Sequence, residues 1–291
     1  MYPTTIPMRN APSTMNVFCS GHPAKARLSL LSALLMTALG VTLGCNNLTS
    51  LHQPSIKRHL DGPILSLPYK MILTDERNND QRLPIVVAFH GLGGNPDEMV
   101  RALAAMEVPA RIIAPHGLFP FGMQGGASWY ANAIPSRTSD PHLMAEDMNY
   151  AADMLAHFVN QLMAHYDEAG KPIITGYSQG GMLTYALSVR YPHLIGSAIP
   201  VAGFMPSTLM PQQSLAVGSY PKFEALHGYN DKIVPFEADL DSVETLNYLG
   251  QKAVLYKFNN TGHFMSQRMF DAYLLVLDRT AVALNPDLEW E

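Results

Sequence analysis

The sequence predicts a doubly wound α/β domain built on a mostly parallel sheet, and three observations predict it. From Leu65 onward, short apolar strand-like runs alternate with amphipathic helical patterns, the order expected when helices cover both faces of a sheet. One strand-to-helix junction carries the pentapeptide Gly176-Tyr177-Ser178-Gln179-Gly180. The composition of 47% hydrophobic and 15% charged residues is that of a chain with a substantial core.

The elements follow in order. Leu83 to Phe89 is a nearly continuous apolar run, as a strand buried on both faces requires, and Arg111 to Ala114 is a second. Asp147 to Tyr166 reads as a helix, with Met148, Ala151, Leu155, Phe158, Val159, Leu162 and Met163 forming one apolar face. Lys171 to Thr175 is a short β-branched strand leading into the pentapeptide. The helix after it carries Met182, Leu183, Tyr185, Ala186, Leu187 and Val189 and must stop before Tyr191-Pro192, because the residue before proline avoids the α region. Ile195 to Ala202, Lys222 to Leu226 and Ala253 to Phe258 supply further strands, and a last helix runs from about Ser266 to Leu284. The segment between the Ala202 and Lys222 strands is too short for a helical cap domain. Gly117 to Pro141 is longer and irregular, with Trp129 and Tyr130 in its middle, and is expected to border a pocket.

The first 45 residues differ from the rest. Arg9, Lys25 and Arg27 are their only charges, and Leu28 to Leu43 is apolar for about 16 residues, short of the roughly 20 that span a bilayer. This predicts a signal peptide over residues 1–44. Gly44-Cys45 resembles the lipobox of bacterial lipoproteins, with Thr42 where that motif prefers Leu. The expected arrangement is lipidation at Cys45, a tether over residues 45–63, a folded domain over 64–291, and residence in a bacterial cell envelope, anchored and facing the periplasm. Removing the three signal cations takes the formal charge from −5 to −8, so no basic surface for nucleic acid is expected. No zinc-type cysteine spacing or P-loop occurs, and neither metal nor cofactor is implied.

Gly-x-Ser-x-Gly between strand and helix fits a nucleophile elbow, in which a sharp turn lifts a serine hydroxyl clear of the sheet. Such a serine needs a base, an acid to orient the base, and donors for an oxyanion. In folds of this type the partners follow in the order serine, acid, histidine. Asp231 lies in the turn His227-Gly-Tyr-Asn-Asp-Lys just after a strand, where the acid belongs, whereas Asp239 and Asp241 fall in the next helix, too far along to point at the site. His263 follows the last strand directly and fills the base's slot, since imidazole can take a serine proton and return it to a leaving alcohol near neutral pH. His227 and His90 end strands and read as structural. The oxyanion donors should be the backbone N–H groups of Gln179 and of Leu92, in the loop His90-Gly-Leu-Gly-Gly.

The set His90-Gly-Leu-Gly-Gly, Trp129, Gly176-Tyr-Ser-Gln-Gly-Gly181, His227-Gly-x-x-Asp231-x-x-Val234-Pro235 and Gly262-His263 resembles the phospholipase/carboxylesterase family of α/β hydrolases, which includes acyl-protein thioesterases. The likeness spans about Leu83 to Leu277. It implies an α/β-hydrolase fold without a large cap, Ser178 as nucleophile, Asp231 as orienting acid, His263 as base, and hydrolysis of carboxylic esters through an acyl-enzyme. Members of that family commonly carry an acidic residue where this chain has Tyr130-Ala131, and the cytosolic thioesterases lack an export segment; both features set this chain apart from protein deacylases. An open site suits short or medium acyl chains, with Trp129, Met123 and Phe264 expected to line the acyl side. Lysophospholipase, thioesterase and polyester depolymerase are the alternatives within the class, and a non-catalytic, membrane-tethered binding protein is the alternative outside it.

Overall fold

The computed structural model describes residues 62–75, 82–122, 125–131, 141–212, 216 and 218–286. The expected signal peptide, Cys45 and nearly all of the expected tether lie outside the described residues, as does Met123. At the tether's end, the carbonyl of Pro63 accepts the Tyr69 hydroxyl at 2.7 Å, so the chain is already tied to the domain there.

The main sheet is assembled from β1 (Tyr69–Leu73), β2 (Ile85–Phe89), β3 (Arg111–Pro115), β6 (Ile173–Tyr177), β7 (Ser197–Val201), β8 (Lys222–Gly228) and β9 (Ala253–Phe258), while β4 (Phe119–Pro120) and β5 (Ala127–Ser128) form a separate antiparallel pair. The spatial order of the seven is β1-β3-β2-β6-β7-β8-β9, with β1 antiparallel to β3 and every other pairing parallel. Among the described residues five helices flank it: α1 (Pro96–Leu103), α2 (Pro141–His165), α3 (Gln179–Arg190), α4 (Phe236–Tyr248) and α5 (Gln267–Leu284).

Parallel strands with helices on both faces bury both sets of side chains, and β2 shows how. Its residues Ile85, Val87 and Phe89 join the core under α2 and α3, whereas Val86 and Ala88 join the core under α1 and α5. A third cluster at the far end joins Tyr185 of α3 to Phe223 of β8 and to Val243 and Leu246 of α4. The helix ends match their chemistry. Asn95 caps α1 by accepting from the Glu98 amide, Ser266 caps α5 by accepting from Met269, and α3 stops at Arg190, just before Tyr191-Pro192.

The expected loop from Gly117 to Pro141 differs in part from expectation. Its described portion contains the β4–β5 hairpin, and Gly93 in the loop after β2 donates to the Ala127 carbonyl at 2.8 Å. The hairpin is therefore bound to the loop that leads away from β2.

Candidate active site

Ser178 sits between β6 and α3 with φ 56° and ψ −115°, a backbone state that side chains other than glycine rarely adopt and that costs about 1–3 kcal/mol. The neighbours explain why the chain accepts this. A Cβ on Gly176 would lie 2.4 Å from the Gly180 carbonyl oxygen, and one on Gly180 would lie 2.2 Å from the Phe89 carbonyl oxygen. Two glycines are thus needed for the turn to close against the end of β2. The Ser178 amide donates to Val201 on β7 at 2.8 Å, which pins the elbow to the sheet.

The residues named from the sequence meet here. His263 Nε2 lies 2.8 Å from Ser178 Oγ, and its Nδ1 lies 2.7 Å from Asp231 Oδ2. Asp231 Oδ1 accepts the amides of Ile233 and Val234, both at 2.9 Å. Burial pushes the Asp231 carboxyl up, yet the His227 contact and hydrogen bonds from His263, Val234 and Ile233 outweigh it and hold the group well below the usual carboxylate range. Asp231 is therefore ionised. Because a carboxylate only accepts, His263 Nδ1 must carry its proton toward Asp231, which leaves Nε2 free to receive the serine proton. Tyr177 lies against the His263 ring, with centroids 5.3 Å apart, and limits its tilt.

Opposite the histidine stands the loop after β2. A Cβ on Gly91 would be 3.5 Å from Ser178 Cβ, so this backbone runs alongside the nucleophile. The Gly93 and Gly94 amides are taken by Ala127 and Gly91, whereas among the described residues no loop, turn or cap hydrogen bond uses the amides of Leu92 or Gln179. His90 fixes the loop from below. Burial drives its pKa down to about 4, so the ring is neutral; its Nδ1 donates to the Gly91 carbonyl at 2.7 Å and its Nε2 accepts the Gly117 amide at 3.0 Å.

Three placements differ from the sequence reading. Trp129 is fully buried, stacks on His90 with centroids 5.0 Å apart and donates its indole N–H to the His90 carbonyl at 2.9 Å. It braces the wall of the site from behind and has no face for an acyl chain. Phe264, by contrast, is 53% exposed beside His263, at the rim. As expected, Asp239 does not point at Ser178 or His263, but α4 turns it inward so that its carboxylate lies 2.7 Å from His227 Nδ1, and His227 Nε2 lies 3.4 Å from Asp231 Oδ2. His227 is more than the end of a strand.

Sequence reasoning also missed the side chain of Gln179. Its amide oxygen accepts the Trp129 backbone N–H at 2.9 Å and its nitrogen donates to Ser128 Oγ at 3.1 Å, tying α3 to the hairpin. The signal that could have found it is an amide in a buried elbow position, which must find partners. Among the described residues no cluster of His, Cys, Asp and Glu could hold a metal ion, and no helix is long and apolar enough to cross a membrane.

A nucleophile elbow with an acid and a histidine in that chain order, on this sheet, agrees with comparisons to known proteins. A family model described as Phospholipase/Carboxylesterase matches residues 74–279. The chain belongs to that family. Carboxylesterase SOBER1 of Arabidopsis thaliana is 28% identical to it over 117 residues, 38% of this chain and 49% of the relative, so the chain spans about half the length of the curated relative it matches. Among solved structures, esterase PE8 superposes with a TM-score of 0.60 at 20% identity, covering 74% of this chain and 99% of that one. Acyl-protein thioesterase 2 of Zea mays gives 0.58 at 20% identity over 74% and 99%, and the Bacillus cereus carboxylesterase 0.59 at 17% over 73% and 94%. These structural likenesses establish the α/β-hydrolase fold. The chain is thus a member of the phospholipase/carboxylesterase family built on the α/β-hydrolase fold.

Proposed function

We propose that the chain is a serine carboxylesterase that cleaves esters of short or medium acyl chains through an acyl-enzyme. The observation that carries this reading is the continuous line of contacts from Asp231 through His263 to Ser178, at 2.7 and 2.8 Å, ending on a serine held at positive φ. Ser178 Oγ attacks the ester carbonyl as its proton passes to His263 Nε2, and the imidazolium that forms faces the ionised Asp231. The amides of Leu92 and Gln179 receive the oxyanion, each of the kind whose loss costs about 2.7–4 kcal/mol. His263 then gives its proton to the leaving alcohol. Water, deprotonated by the same histidine, attacks the acyl carbonyl and releases the acid, returning Ser178 to its starting state.

Support for short or medium chains comes from the rim: Leu92, Ile233 and Phe264 are exposed there, and among its described residues the segment between β7 and β8 holds as regular structure a single short 3₁₀ turn, Ser207–Leu209. The test is a chain-length series of p-nitrophenyl esters run beside a lysophospholipid and a thioester. Highest kcat/KM at two to about eight carbons supports the reading. A steep preference for long chains, or turnover of the lysophospholipid or thioester alone, contradicts it. We also infer export with lipidation at Cys45, on the apolar run and the Gly44-Cys45 junction. Mass spectrometry of the cell-envelope protein should find a lipidated Cys45 as its first residue, and an intact unprocessed N-terminus would refute it.

A further inference from the structure

Behind the three residues of the site lies a second imidazole–carboxylate contact. His227, at the end of β8, is completely buried, and so is Asp239 on α4. Nε2 of His227 faces two oxygens, the Val234 carbonyl at 3.0 Å and Asp231 Oδ2 at 3.4 Å. Nδ1 lies 2.7 Å from Asp239 Oδ2, and Asp239 Oδ1 accepts the Tyr185 hydroxyl at 2.5 Å. A carbonyl cannot donate and Asp231 is ionised, so Nε2 must carry a hydrogen. A second proton then occupies the contact between Nδ1 and Asp239, whichever of the two holds it.

We propose that His227 and Asp239 are positioning residues for the hydrolysis: as a proton-sharing pair they fix the turn from Asp231 to Val234 and hold the Asp231 carboxylate ionised and aimed at His263. The proposal rests on the serine-hydrolase reading above. His227 reaches both ends of that turn at once, the carboxylate of Asp231 and the carbonyl of Val234, while the amides of Ile233 and Val234 hold the other carboxylate oxygen. At 3.4 Å the contact with Asp231 acts through charge more than as a bond, and the shorter contact with Val234 supplies the geometry. Asp239 fixes the direction of the ring, as outer carboxylates fix histidines that must present one nitrogen.

Protonation agrees with this arrangement. Burial pushes the His227 imidazole down, but its contacts with Asp231 and Asp239 and the Asp239 charge bring it up to about 9, while burial raises Asp239. Both shifts keep the shared proton on the pair through neutral pH. The groups around the pair are Asp231 in the turn, Tyr185 on α3, the Phe236 ring on α4 at 5.9 Å, and Lys257, which pairs in register with His227 on β9 and places its ammonium 3.7 Å from the Tyr229 ring.

The experiment compares wild type, His227→Gln and Asp239→Asn in p-nitrophenyl acetate hydrolysis, with rates divided by the active sites that a fluorophosphonate titrates. The glutamine nitrogen can still reach the Val234 carbonyl, but it carries no charge and no link to Asp239. His227→Gln should lower kcat per labelled site about tenfold with KM within about twofold, the scale of losing a hydrogen bond to a charged group. Asp239→Asn keeps a neutral ring, because the asparagine nitrogen can donate to Nδ1, and should lose less. Wild type should show a fall in kcat/KM as pH rises through about 9, and both variants should lack it. A merely structural role would reduce the number of labelled sites and leave kcat per site and the pH profile unchanged; that result overturns the proposal. A wild type that is neither labelled nor active overturns the hydrolase reading instead, and this proposal with it.

Discussion

Replacing Gly180 by alanine tests the elbow with a single methyl group. The added Cβ would lie 2.2 Å from the Phe89 carbonyl oxygen, 2.7 Å from its carbonyl carbon and 2.8 Å from the His90 carbonyl oxygen. All three atoms are backbone, so no side chain can swing aside. Real Cβ atoms keep at least 3.0 Å, so the end of β2 and the first turn of α3 must separate by 0.8 Å or more along that contact. That movement shifts Ser178 relative to the loop bearing Leu92, and a misplacement of about 1 Å costs about a hundredfold in rate. A hundredfold corresponds to about 2.7 kcal/mol of barrier. Overpacking should also lower stability by about 1–3 kcal/mol. The assay is kcat/KM for p-nitrophenyl acetate together with the thermal midpoint. Gly180→Ala with kcat/KM within about threefold of wild type would refute the reasoning, because the contact between elbow and strand would then not set the geometry.

Further outcomes follow from other contacts. Gln179→Ala removes the acceptor for the Trp129 amide and the donor to Ser128, and should destabilise by about 1–3 kcal/mol for the buried groups left unpaired, read as a shift in the urea midpoint at constant slope. Trp129→Phe removes the donor to the His90 carbonyl and should lower kcat more than it raises KM, since the residue braces the loop and does not touch substrate; a rise in KM alone would put the tryptophan back in the acyl pocket. Stability should depend on pH through His227, whose folded pKa of about 9 lies above the unfolded value near 6.5. Its contribution is complete below pH 6.5 and is lost as pH rises through 9, at up to about 1.4 kcal/mol per pH unit between them. Urea unfolding at pH 6.5 and 9.5 should show this loss in wild type and a smaller one in His227→Gln. Asp231, held low, contributes in the opposite sense: its share is present above the ordinary carboxylate pKa and is lost as pH falls toward the depressed folded value.

Much of the fold was legible because parallel strands buried on both faces leave continuous apolar runs, and Ala253–Phe258 was read with its observed ends. The ends of the strand at Ile173–Tyr177 were not, since it runs into the elbow and its last two residues look like the turn. Ser178, Asp231 and His263 could be found because chain order fixes which strand end each must follow. What escaped was carried by side-chain direction. The spacing of Phe236, Val243 and Leu246 puts Asp239 on the buried face of α4, but nothing in the sequence names His227 as its partner, and nothing near Trp129 shows that the hairpin carries its ring under His90. A buried acidic residue among the several on α4 reveals its role only when its partner's position is known.

The central claim is that Ser178 is a nucleophile served by His263, and covalent labelling tests it most directly. A fluorophosphonate should add one group per chain, mapped by mass spectrometry to Ser178, with no labelling of Ser178→Ala and labelling of His263→Ala slowed by about a thousandfold or more. Equal labelling of wild type and Ser178→Ala, or a modification mapped to another residue, would contradict it.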